Sequence, residues 1–221
     1  VGASHSTLAL EGSFHGIPIF STDLCAEKIR LGILTTLERR INLLEEVYVG
    51  EPKHRALHMQ KFPPGFECEP IRKCEWKDAV ARGINHVNQT LSECDASRIR
   101  LADGHIAPDR SFSLVLSSHA VPKYSVDEKF LRTELRELLR VTAGRLVLFP
   151  FIAAGPEHEL LHRPHSPTRK MIEDTARELG FAFETKVYPY LIEPEGGPPT
   201  APGYNITAIF SRLGTRYPPA R

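Results

Sequence analysis

The sequence predicts an open α/β sheet, mostly parallel with an antiparallel last strand, carrying a helical insert. Three observations lead there. Short runs of strand formers alternate with stretches of helical period. The last two strand runs, FAFETKVYPYL and YNITAIFS, are joined by the Pro/Gly-rich EPEGGPPTAPG with no helix between them. A helical stretch, residues 26–97, separates the first strand run from its successor and is far longer than one crossover helix needs.

The elements follow in order. IPIFSTD (Ile17–Asp23) is a strand run ending on an acid. From Ala26 the apolar residues Ile29, Ile33, Leu37, Ile41, Leu44 and Val47 recur at helical spacing until Pro52 interrupts them. PPGFECEP (Pro63–Pro70) reads as a loop. Trp76, Val80, Ile84, Val87 and Leu91 mark a second amphipathic helix. RIRLAD (Arg98–Asp103) reads as a short strand ending on an acid, and FSLVLSSH (Phe112–His119) as a central one. Val126–Val141 is a helix with Phe130, Leu131, Leu135, Leu138 and Leu139 on one side; Gly144 ends it and RLVLFPF is the next strand. Ser166 caps a helix whose core face is Met171, Ile172, Thr175 and Leu179, and Gly180 stops it.

Composition narrows the function classes. A chain of 221 residues with 41% hydrophobic content suits one large domain, or a domain with a cap. Lys and Arg number 28 against 27 Asp and Glu, a net charge of +1, so there is no electrostatic ground for nucleic acid or an anionic membrane. No apolar run approaches the roughly 20 residues of a membrane span. Cys25, Cys68, Cys74 and Cys94 form no C-x-x-C pair and read as reduced thiols of a cytoplasmic protein. No signal-peptide pattern is present. The opening residues read as the middle of an element, so an upstream start is expected.

One motif points to other chemistry. GPEHELLHRPHS contains HELLH at 158–162, which on a helix would put His158 and His162 on one face beside Glu159 as a general base for a zinc-bound water. Gly155-Pro156 and Arg163-Pro164 bracket it, leaving at most two turns of helix. His165 is a conceivable third ligand. A polar surface loop is the favoured reading and no metal is expected; a zinc-dependent hydrolase is the alternative.

Polar residues gather at the predicted strand ends, where open α/β sheets bind ligands. VGASHSTLALE is a small-residue turn leading into a helix, which lets a ligand approach the backbone. About 20 residues on, Asp23 is placed to accept hydrogen bonds from ribose hydroxyls. Asp103 ends the next strand run and His119 the one after. Singly, each has a plainer reading: a turn, a helix cap ahead of Ala26, a turn residue, a core histidine. Their joint order argues for a site.

VGASHSTLALE, STDL, LADGHIAPDRSFSLVLSSH and RELLRVTAGRLVLFPF, in that order, resemble the class I S-adenosylmethionine-dependent methyltransferases over nearly the whole length. The resemblance is to bacterial members with a helical insert between strands 2 and 3. Ser4 stands where these enzymes usually have a second glycine, and Ser113 where an Asp follows the Phe; the acid usual upstream of the first motif is not in the chain.

The resemblance implies a Rossmann-like doubly wound domain from 1–25 and 98–221, with 26–97 as a helical cap. It implies S-adenosyl-L-methionine as cofactor, held by Val1, Gly2, Ala3, Ser4, Asp23, Leu24, Asp103, Gly104 and Ser118. His119 is expected near the methyl group as base or orienter, with Tyr124 the weaker candidate. Trp76 and Phe66 of the cap are expected to line a pocket for a small or medium-sized acceptor. A non-catalytic methyltransferase-like binding module is the further alternative.

Overall fold

The computed structural model describes residues 8–25, 27, 30, 31, 35, 41, 42, 44–53, 70–118, 120–123, 125–149, 151, 167–191 and 202–214. The chain divides into two compact units. One is formed mainly by Ala3–Glu93 with Leu101–Gly104, the other mainly by Cys94–Arg100 with His105–Tyr217.

In the first unit, helix α1 (Leu8–Phe14) leads through a glycine turn at Gly16, φ +65°, to the short strand β1 (Ser21–Asp23). Helix α2 (Trp76–Thr90) runs directly into β2 (Leu91–Glu93), which pairs parallel with β1. Helix α2 is therefore the last part of the crossover between two parallel strands. Its buried residues Trp76, Ala79, Val80, Gly83, Val87 and Thr90 recur every three or four positions, as a one-sided helix requires. Of these, Trp76, Val80 and Val87 join Ala9, Leu10, Leu44, Val47, Tyr48 and Leu91 in one core.

Gly83 sets how closely the helices approach. A Cβ there would lie 2.7 Å from Ser13 Oγ and closer still to Leu10 Cδ1, so any larger residue would require those side chains of α1 to shift. Tyr48 OH donates to Glu11 Oε2 at 2.8 Å, and the Ile19 N–H donates to His86 Nε2 at 3.3 Å. Trp76 is not a pocket residue. It is buried 5.6 Å from the Phe14 ring, because its indole continues the apolar stripe of α2. Phe66 lies outside the described residues.

The second unit holds a four-stranded sheet in the order β3–β4–β6–β5. Strand β3 (Phe112–Ser118) pairs parallel with β4 (Thr142–Phe149). Between them runs α3 (Glu128–Val141), the right connection for a parallel pair. Asp127 caps it, accepting a 2.7 Å bond from the Phe130 N–H. Helix α4 (Pro167–Glu178) stops at Gly180, φ +79°, and leads to β5 (Phe181–Leu191). Strand β6 (Pro202–Arg212) lies antiparallel to both β4 and β5. The fold is thus α/β, with parallel pairs and an antiparallel last strand, as the sequence predicts.

Leu131, Leu135, Leu138 and Leu139 of α3, Leu146 and Leu148 of β4, and Met171, Ile172 and Ala176 of α4 fill the core of this unit with Phe151, Phe181 and Phe210. Two expectations need correcting. Gly144 does not end a helix: α3 finishes at Val141 and Gly144 is the third residue of β4. RIRLAD is not a strand. A turn closes at its start, where the Arg98 N–H bonds the Asp95 carbonyl, and another at its end, where the Gly104 N–H bonds the Leu101 carbonyl. What remains extended is one antiparallel bridge, Arg100 to Ile106.

Candidate functional site

The carboxyl edge of the β1–β2 pair gathers the first group of polar residues. Parallel register sets Asp23, the last residue of β1, beside Glu93, the last residue of β2. Register partners on neighbouring strands lie about 4.8 Å apart and project to the same face. Two carboxylates therefore emerge together at one strand end, Asp23 half-buried and Glu93 exposed. Leu24 follows at 69% exposure, an apolar surface next to the acid.

The residue before each acid points to the opposite face. Thr22 and Ser92 are partners there, and both are buried. Ser92 Oγ donates to the Leu101 carbonyl at 3.2 Å, tying the following turn to β2. The Thr22 hydroxyl is buried and makes no hydrogen bond among the described residues. Asp103 and Gly104 stand on that turn, exposed, with the Gly104 N–H bonded to the Leu101 carbonyl at 2.9 Å and Gly104 at φ +83°. Asp103 is therefore a turn residue and not a strand end. The acid in register with Asp23 is Glu93, which sequence reasoning missed because α2 was carried on through Leu91.

The second group surrounds the loop after β3, in the other unit. Ser117 is fully buried, and its Oγ accepts the Val121 N–H at 3.0 Å. Ser125 N–H reaches the Pro122 carbonyl at 3.1 Å, and Ser125 Oγ donates to Glu134 Oε2 on α3. Burial pushes the Glu134 carboxyl above its ordinary value; the Ser125 hydroxyl opposes this and the nearby charge of Asp95 adds to it. Ser118 closes β3. Val1, Gly2, Ala3, Ser4, His119, Tyr124 and the HELLH segment lie outside the described residues. Among the described residues, no group of three or more His, Cys, Asp or Glu could hold a metal ion, and no helix is long and apolar enough to cross a membrane.

The Glu134 shift carries a prediction. A carboxyl with a raised folded-state value binds its proton more tightly when folded. Its contribution is fully present below the ordinary glutamate value and is lost as pH rises through the raised one. Glu134→Gln removes that titration. As pH rises above the ordinary glutamate value, the stability difference between the variants should move in favour of Gln until the raised value is passed. Urea denaturation at a series of pH values measures it, and parallel curves would contradict the assignment.

No protein-family model and no curated protein matches this sequence. Solved structures of S-adenosylmethionine-dependent methyltransferases are similar to it. Magnesium protoporphyrin IX methyltransferase from Synechocystis, with the cofactor bound, is 11% identical at a TM-score of 0.46, covering 96% of this chain and 67% of that one. A methyltransferase from Methanosarcina mazei is 14% identical at 0.46, covering 93% and 86%. A possible histamine N-methyltransferase from Thermotoga maritima is 14% identical at 0.36, covering 80% and 95%.

The Asp23 edge has a chemistry of its own. A carboxylate at a parallel strand end can accept two hydrogen bonds from vicinal ribose hydroxyls, and Leu24 offers an apolar face for a base.

Proposed function

We propose that this chain is an S-adenosyl-L-methionine-dependent methyltransferase acting on a small or medium-sized acceptor. The observation that carries the reading is Asp23, half-buried at the carboxyl end of a parallel strand, followed by the exposed Leu24. The ordered motifs from VGASHST to LVLFPF support it.

When bound, the cofactor supplies a methyl group on a sulfonium, already activated for in-line transfer. The tasks left to the protein are alignment, exclusion of water and removal of a proton from a hydroxyl or protonated amine acceptor. Asp23 orients the ribose and Leu24 packs on the base. Val1, Gly2, Ala3 and Ser4, with Asp103, Gly104 and Ser118, complete the cofactor contacts in this proposal. His119 serves as base or orienter beside the methyl group, with Tyr124 as the second candidate. The division into 1–25 with 98–221 and an insert 26–97 belongs to the same proposal. Because α2 packs on α1, the part of the insert ahead of Glu75 is the part assigned to cover the acceptor. A cytoplasmic location without a nucleic-acid partner completes it.

Titration calorimetry with S-adenosylhomocysteine tests the reading. The wild type should bind at one site. Asp23→Ala should lose about 1.5–3 kcal/mol of that affinity, the worth of charge-assisted hydrogen bonds, while keeping its thermal stability. No heat with the wild type at millimolar ligand would sink the enzyme reading. Unchanged affinity in the variant would return Asp23 to the role of a helix cap.

A further inference from the structure

We propose that Glu134 is a positioning residue, which through Ser125 fixes the loop that leaves the carboxyl end of β3. Its relevance to acceptor placement rests on the methyltransferase reading.

The argument starts from the pattern of α3. Leu131, Leu135 and Leu138 form an apolar stripe, and Glu134 falls within it, only 6% exposed. A leucine or methionine there would continue the stripe without the cost of burying a carboxyl. The helix does not need the acid for its own start, since Asp127 already caps the first turn. What Glu134 does instead is reach the loop, where its Oε2 accepts a hydrogen bond from the Ser125 hydroxyl.

That bond is one of two anchors. The near end of the loop is held by the Val121 N–H on the buried Ser117 Oγ. The far end is held by Ser125, whose N–H closes a turn on Pro122 and whose side chain is held by Glu134. Val121 and Pro122 are themselves buried between the anchors. In sequence, His119 and Tyr124 both fall between Ser117 and Ser125. The loop leaves a strand at the carboxyl edge of a sheet, where α/β proteins bind ligands, and transfer steps depend steeply on such placement. Glu134 touches no reacting atom in this account; it acts through Ser125.

Hydrogen exchange on the full chain, with wild type, Glu134→Ala, Glu134→Gln and Ser125→Ala, tests it. Protection of the Val121 and Ser125 amides should fall roughly tenfold in Glu134→Ala and in Ser125→Ala. Gln should restore it, because its side-chain carbonyl still accepts from Ser125. The Leu146–Leu148 amides of β4 should stay as protected as in the wild type, which separates a local release from general destabilisation. A loop as protected in Glu134→Ala as in the wild type, or a Gln variant that does not recover, overturns the proposal. S-adenosylhomocysteine binding by the wild type reports separately on the methyltransferase reading, so the two fail by different signals.

Discussion

Phe210→Ala is expected to destabilise the four-stranded unit by about 3–5 kcal/mol, the cost of emptying a fully buried aromatic site. Phe210 is at 0% exposure near the carboxyl end of β6. Its register partners are Leu146 on β4 and Phe183 on β5, so it sits on the strand that joins the two halves of the sheet. Its ring lies 5.1 Å from that of Phe183, which in turn lies 6.0 Å from Phe151. Truncation removes the end of this row that lies against Phe183 and leaves a gap between β4 and β5. Chemical denaturation measures the loss. A change below about 1 kcal/mol would mean that the site collapses around the alanine.

The second large effect is expected at Arg212. Its guanidinium donates to the Thr142 carbonyl from Nε at 3.2 Å and from Nη2 at 2.8 Å, and to the Leu139 carbonyl at 3.2 Å. These carbonyls stand at the carboxyl end of α3, where a cation also meets the negative end of the helix dipole. The same group lies over the Phe181 ring, 4.3 Å from its centre. Desolvation lowers the Arg212 value from its ordinary one, but the group remains a cation. Arg212→Met keeps the stem and removes every donor, and should cost about 2–3 kcal/mol. Arg212→Lys should recover only part of this, because one ammonium cannot reproduce the planar fork. Urea titration of both variants checks it; a Met variant as stable as the wild type would show that water replaces the lost donors.

Long periodic elements were legible because their burial pattern is written in the residues. Helix α3 follows the stripe of Leu131, Leu135, Leu138 and Leu139, and β5 and β6 follow their runs of β-formers on either side of a Pro/Gly linker. The three-residue strand β2 was not legible. Leu91 stands four residues after Val87, so it extends the helical period, and nothing local in Leu-Ser-Glu announces a strand. Only pairing with β1, a tertiary event, makes it one. Glu93 was lost with it, and Asp103 took its place. The assignment of Trp76 to a pocket failed for a related reason: an aromatic residue at helical spacing packs wherever the apolar face packs. Asp23 was legible because an acid closing a strand run is a local signal. Glu134 left a trace too, a charged residue inside an apolar stripe, but its meaning depends on Ser125, which only the folded chain brings to it.

The pairing pattern also orders events in time. Strands β5 and β6 align over their full length, Phe181 opposite Arg212 through Leu191 opposite Pro202, and only a short connector has to close before those rungs form. The three rungs of β1 on β2 begin with Ser21 opposite Leu91, so a long stretch of chain must be drawn in for very little ladder. Closure entropy rises only slowly with length, but it must be met before any distant contact is rewarded. The hairpin can therefore assemble early and on its own. The strand edge that carries Asp23 and Glu93 is expected to close later, once the chain between its strands has been drawn in. The edge that carries Asp23 is in this sense the part of its unit whose closure is expected late.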